Sequence, residues 1–177
     1  MKQNKLVIGL FGFGCVGKGL YDVLQQSPSL PAVIKTICIK HADKSRPIPA
    51  SFFTTDKNSI LNDPDIQIVV ELTDDAEAAY ELVKEALLRG KAVVSANKKM
   101  IAEHLDELLV LQQTHNTPFL YEAACCASIP IIRNLEEYYD TDILESIEGI
   151  VNGSTNYILT RLNEQGSSYP EALALAQ

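Results

Sequence analysis

Several short stretches of the chain combine residue types that can do chemistry. Gly12-Phe13-Gly14-Cys15-Val16-Gly17 sets glycines at G-x-G-x-x-G spacing, after an apolar run from Leu6 to Phe11 and before an apolar-periodic segment from Val16 to Leu24. Between a strand and a helix, that spacing makes the phosphate-binding turn of a dinucleotide fold. The first glycine permits the tight turn, the second lets backbone approach a pyrophosphate, and the third lets helix pack close to strand. The helix start adds free N–H donors and a positive dipole end. The plainer alternative is a tight structural turn.

The end of the second strand selects the dinucleotide. Ile39-Lys40-His41-Ala42-Asp43 places a cation, Lys40, where an acid would favour NAD. A cation there suits a 2′-phosphate, so NADP is favoured, while Asp43 keeps NAD open. Glu71-Leu72-Thr73-Asp74-Asp75 closes a β-branched run. Thr73 there can bond the cofactor or cap a helix, and the two aspartates suit the positive helix end. Ser95-Ala96-Asn97-Lys98-Lys99 puts two lysines at a helix start, where the dipole disfavours cations. A bound anion would compensate them; otherwise they are surface lysines.

Tyr121-Glu122-Ala123-Ala124-Cys125-Cys126-Ala127-Ser128 follows an acid with small residues. A carboxylate with backbone carbonyls suits a hard cation, but close packing between domains is the better default for such a stretch. Cys125 or Cys126 as a nucleophile has no histidine nearby in sequence. Asn152-Gly153-Ser154-Thr155-Asn156 offers Ser154 as a helix N-cap, or a turn that presents hydroxyls to a ligand. His41, His104 and His115 show no metal spacing, and His104 and His115 read as solvated.

The elements that position these residues alternate. Strands are expected at Leu6 to Phe11, Ala32 to Lys40, Ile66 to Leu72, Ala92 to Ser95, Pro118 to Tyr121 and Ile143 to Val151, with a short one at Ser51 to Thr55. Helices are expected at Val16 to Gln26, Asn58 to Leu61, Ala76 to Arg89, Met100 to Gln113, Ile129 to Tyr139 and Ser154 to Asn163. Gly90 is a good residue to follow a helix. Such alternation gives a parallel sheet covered on both faces. From about Ile143 the pattern offers one strand, one helix and the opening of another at Pro170, so the chain is expected to stop inside a second domain.

Composition bounds the class. The chain has 177 residues, 46% of them hydrophobic and 21% charged, ordinary for a globular protein with a real core. A net charge of −8 argues against nucleic acid or an anionic membrane as partner. No apolar run approaches the roughly 20 residues that cross a bilayer. The early apolar run, broken by glycines, reads as a strand rather than a leader. The four cysteines, Cys15, Cys38, Cys125 and Cys126, form no C-x-x-C pair and read as reduced thiols of a cytoplasmic protein.

Taken together, four blocks resemble homoserine dehydrogenase over nearly the whole chain. They are the opening G-F-G-C-V-G, Ser95-Ala96-Asn97-Lys98-Lys99, Tyr121 to Ala124 leading to Ile129-Pro130-Ile131-Ile132, and Gly149 to Leu159. The resemblance implies reversible NAD(P)H-dependent reduction of L-aspartate 4-semialdehyde to L-homoserine, in threonine, methionine and isoleucine biosynthesis. It implies that Gly12, Phe13, Gly14, Cys15, Val16, Gly17, Lys40, Thr73 and Lys98 bind the cofactor. Lys98 is also the catalytic candidate, near nicotinamide and substrate. Glu122, with the carbonyls of Cys125, Ala127 and Ile129, matches a monovalent cation site, usually sodium. Asn152 to Thr155 would lie near the nicotinamide, and the full-length protein would be a homodimer.

The chain departs from the family in places. Asp74-Asp75 stands where the family often has Gly-Gly, and Cys126-Ala127-Ser128 where it is glycine-rich. Lys40 stands where many members have arginine, keeping the charge and losing the bidentate fork. A later acid and lysine of the family would lie beyond Gln177. The expectation is therefore a doubly wound parallel α/β domain of Rossmann type over residues 1–130. Residues 131–177 begin an α+β catalytic and dimerisation domain, and this chain alone is competent for cofactor binding only. The rivals are a nucleotide-binding regulatory module without chemistry and a semialdehyde dehydrogenase of the same fold.

Overall fold

The computed structural model describes residues 5–126, 129–139, 143–150 and 152–176. The chain divides into two compact units, Met1–Ala124 and Cys125–Gln177.

The first unit is built on six parallel strands: β1 (Leu6–Phe11), β2 (Ala32–Cys38), β3 (Phe53–Thr54), β4 (Ile68–Glu71), β5 (Ala92–Ser95) and β6 (Phe119–Leu120). Their order is β3-β2-β1-β4-β5-β6. Helices α1 (Cys15–Gln26), α2 (Asn58–Leu61), α3 (Ala76–Leu88) and α4 (Lys98–His115) connect them. Both sheet faces are covered, as a parallel sheet requires. Neighbouring strand residues feed opposite cores, because side chains alternate along a strand. Leu10 and Val70 pack with Ile34 and Ile37 against Leu20 and Leu24 of α1. Phe11, Val69 and Val93 pack against Val83 and Leu87 of α3 and Leu108 of α4.

The register aligns the strand ends. Phe11 pairs with Cys38 on one side and Glu71 on the other, and Glu71 pairs with Ser95. One edge of the sheet therefore carries the residues that follow Phe11, Cys38, Glu71 and Ser95.

Local chemistry shifts some expected boundaries. The helix expected from Met100 starts at Lys98, because the Asn97 side chain accepts the Met100 N–H at 3.0 Å. The strand expected over Ser51 to Thr55 opens as a 3-10 turn, Ala50–Phe52, and keeps two strand residues. Gly90, at φ +71, follows α3 as expected.

The second unit contains α5 (Ile131–Tyr138), α6 (Gly153–Glu164) and α7 (Tyr169–Ala176). The strand expected over Ile143 to Val151 is not formed: residues 143–150 hold no regular element, Ile143 is 82% exposed, and Val151 lies outside the described residues. Alternating side chains make a strand only where a neighbour takes its backbone bonds. No strand lies among the described residues of this unit to do so. Among the described residues, no helix is long and apolar enough to cross a membrane.

Candidate functional site

The strand order reverses between β1 and β4, because the chain leaves β1 for β2 and returns on the far side to β4. In open parallel sheets the crevice at such a switch, beyond the carboxyl ends of the strands, receives ligands. Two turns flank it: Gly12 to Gly14 after β1, and Leu72 to Asp75 after β4.

The glycines of the first turn have separate reasons to be glycine. Gly12 holds φ +93, and a β-carbon on it would stand 2.6 Å from the Leu72 carbonyl oxygen. A β-carbon on Gly17 would stand 2.5 Å from the Gly12 carbonyl oxygen, so α1 can sit tight on the turn. A β-carbon on Gly14 would meet nothing within 4 Å. Gly14 faces open space, as a turn that cradles a ligand must.

Helix capping differs along this edge. Asp75 caps α3 by accepting the Ala78 N–H at 3.1 Å, and Asn97 caps α4. Gly14 has no side chain to cap α1, whose first turn carries no acid. The orphan N–H groups of α1 are therefore open to an anion. The residues of the glycine turn and the open space at Gly14 fit a dinucleotide pyrophosphate.

A cleft of about 770 Å³ opens beside the turn. Gly12, Phe13, Gly14, Lys40 and Thr73 line it, together with His41, Lys44, Arg46 and Lys57. Asp43 lines a neighbouring hollow instead. The β2 end thus presents cations to the cleft. Arg46 is braced there, donating to the carbonyls of His41 and Lys44 at 2.7 Å each and lying 5.1 Å over the Phe53 ring. Phe13 packs edge-on against Phe53 and Tyr21, which anchors the turn. Cys15 and Val16 are exposed in the first turn of α1, and Gly17 is buried.

The second turn is held by a buried carboxylate that sequence reasoning passed over. Glu71 is 0% exposed. Its Oε1 accepts the Thr73 N–H and the Thr73 hydroxyl, both at 2.6 Å, and its Oε2 accepts the Ser95 hydroxyl at 2.6 Å. Ser95 Oγ in turn accepts the Asn97 N–H at 3.1 Å, and Asn97 Nδ2 donates to the Thr73 carbonyl at 3.2 Å. The network ties the turn after β4 to the turn after β5. Its sequence signal is a charge that ends the β-branched run Ile68-Val69-Val70.

Other expected residues fall as follows. Lys98 is the exposed first residue of α4 and does not line the 770 Å³ cleft; Lys99 pairs with Glu103 at 3.8 Å. Asp75 is the helix cap, and Asp74 is exposed. Glu122 lies half-buried in a short 3-10 turn of the first unit. Cys125, half-buried, and Ile129, exposed, belong to the second unit, and Ala127 lies outside the described residues. The α6 cap is Asn152, accepting the Thr155 N–H at 2.9 Å, rather than Ser154. His104 is not solvated as expected: it is half-buried, with its ring stacked 3.9 Å from that of Tyr80 and Nε2 3.6 Å from Glu77. Glu77, Glu103 and His104 bring ligand atoms within 4.8 Å of one another, but both carboxylates are exposed and Glu103 also lies 3.8 Å from Lys99. The Cys38 thiol is pushed up by burial, which makes it a poor nucleophile.

Comparison with known proteins identifies the family of the chain. A family model described as the NAD binding domain of homoserine dehydrogenase matches residues 12–122, and a second, described as homoserine dehydrogenase, matches residues 130–177. A curated homoserine dehydrogenase of Synechocystis sp. is 40% identical over 177 residues, covering 96% of the chain and 41% of that protein. One of Bacillus subtilis is 34% identical, again over 41% of its length. The crystal structure of a homoserine dehydrogenase from Thiobacillus denitrificans superposes with a TM-score of 0.87 at 32% identity, over 98% of this chain and 42% of that one. The chain thus spans about 41% of the length of the curated relatives it matches.

Proposed function

Because the chain belongs to the homoserine dehydrogenase family, we propose that it holds the dinucleotide for the reversible reduction of L-aspartate 4-semialdehyde to L-homoserine. The observation that carries the reading is the open space before Gly14 beside the uncapped start of α1. Residues 1–130 act as the cofactor domain, and residues 131–177 begin the substrate and dimerisation domain. The protein that carries this chain works as a cytoplasmic homodimer on small molecules, with no nucleic-acid partner.

When bound, the nicotinamide cofactor supplies or accepts the hydride. The chain's own residues bind and orient it. The α1 N–H groups and the Gly12–Gly14 backbone take the pyrophosphate. Lys40, with Lys44 and Arg46 in the same cleft, favours a 2′-phosphate and hence NADP over NAD. Thr73 lines the cleft and bonds the cofactor. Lys98 exchanges the proton of the substrate hydroxyl and is the catalytic residue of this part of the protein. The Glu122 carboxylate is an oxygen donor of the kind a hard cation takes, and the cation it would serve is sodium.

The test is the rate of homoserine oxidation by the protein that carries this chain. Lys98→Ala lowers kcat by about 100-fold or more if Lys98 moves the proton. An unchanged kcat removes Lys98 from the chemistry.

A further inference from the structure

The hydroxyl of Thr73 has its proton committed. A carboxylate only accepts hydrogen bonds, so Thr73 donates both its N–H and its O–H to Glu71. What the Thr73 oxygen has left is lone pairs. Thr73 lines the cleft beside the glycine turn. A group that meets it there must therefore be a donor.

We infer that Glu71 is a positioning residue that fixes the Thr73 hydroxyl as a hydrogen-bond acceptor toward the cleft, for an O–H or N–H of the cofactor and not for a phosphate or carbonyl oxygen. The inference rests on the reading of the cleft as the dinucleotide site. The division of labour follows from the two turns. Backbone N–H groups at the start of α1 are donors and suit phosphate. The turn after β4, locked by Glu71, is an acceptor and suits a sugar hydroxyl or a carboxamide N–H. Through Ser95 and Asn97 the same carboxylate also fixes the start of α4, where Lys98 stands. A free hydroxyl could turn and donate as readily as accept; one held at 2.6 Å by a fully buried carboxylate cannot do so without breaking that bond.

Titration of the chain with NADPH, and with adenosine 2′,5′-bisphosphate, which lacks the nicotinamide half, tests this. Thr73→Val removes the acceptor and keeps the side-chain shape; it weakens NADPH binding roughly tenfold. Thr73→Ser keeps the hydroxyl and restores binding to within about threefold. Glu71→Gln sets its NH2 against Ser95, because the Thr73 N–H can only donate and so keeps the amide oxygen. The neutral oxygen holds the Thr73 proton less firmly than a carboxylate, so NADPH binding weakens in the Thr73 background and by nothing further in a Thr73→Val background. A Thr73→Val loss shared by the bisphosphate puts the donor on the adenosine side. A loss confined to NADPH puts it on the nicotinamide side. Either supports the inference.

Wild-type binding unaltered by Thr73→Val overturns it. So does a Glu71→Gln loss of the same size in both backgrounds, which marks Glu71 as structural only. Should Glu71→Gln not fold, the contrast of valine with serine at position 73 still decides. A wild-type chain that binds neither probe removes the site reading itself, and this inference with it.

Discussion

Gly12 and Leu72 touch: a β-carbon at Gly12 would stand 2.6 Å from the Leu72 carbonyl oxygen. The two lips of the crevice meet there, backbone to backbone, and Gly12 also holds φ +93. Gly14, two residues on, meets nothing. The two positions therefore separate stability from binding. Gly12→Ala is expected to destabilise the fold by about 1–3 kcal/mol, since it adds both strain and a clash. Gly14→Ala is expected to leave stability within about 0.5 kcal/mol and to weaken NADPH binding, because its methyl enters the open space. Urea denaturation and a cofactor titration on both variants check the contrast.

Lys40 tilts the choice of dinucleotide. Lys40→Ala is expected to raise the Kd for NADPH about tenfold, the value of one charge-assisted hydrogen bond, and to leave NADH within about twofold. Equal losses for both nucleotides in parallel titrations contradict a 2′-phosphate contact.

Acid stability depends in part on Glu85. The hydrogen bond from Lys57 holds its carboxyl below the ordinary 4.5, with Arg89 adding to it and burial opposing. A carboxyl with a lower pKa folded than unfolded stabilises the fold above the unfolded value, and that stability is lost as pH falls through the folded value. Glu85→Gln is therefore expected to cost about 0.5–1 kcal/mol at pH 7 and nothing once the pH lies below the folded value. Chemical denaturation at neutral and strongly acid pH reads the difference.

Asn97 has two separable bonds: its Oδ1 caps α4, and its Nδ2 reaches the Thr73 carbonyl. Asn97→Ala is expected to cost about 1 kcal/mol or more from the cap alone. Asn97→Asp keeps the cap acceptor and loses the donor to Thr73, so it is expected to recover part of that stability while still loosening the tie between the two turns. Denaturant midpoints of the two variants distinguish them.

Most local signals are legible in the chain, and contacts made through the fold are not. The glycine turn and the alternation of strands with helices carry their own information, so the doubly wound sheet and the crevice beside Gly12 were legible. Glu71 was not, because one of its partners, Ser95, lies on the next strand and meets it only through the sheet register. His104 looked solvated because its cover, Tyr80, comes from another helix. Ile143 to Val151 has the alternation of a strand, but a strand also needs a neighbour, and alternation does not report one. The Ser154 cap was misplaced because Asn152, two residues earlier, offers the same acceptor.

The central claim is that the cleft beside the glycine turn binds a nicotinamide dinucleotide. A titration of the chain with NADPH, followed by the nicotinamide fluorescence, tests it most directly. Saturable binding of one molecule per chain, lost in Gly14→Asp where a carboxylate would face the pyrophosphate, is the predicted result. A wild-type chain that does not bind, or binding that survives Gly14→Asp unchanged, contradicts the account.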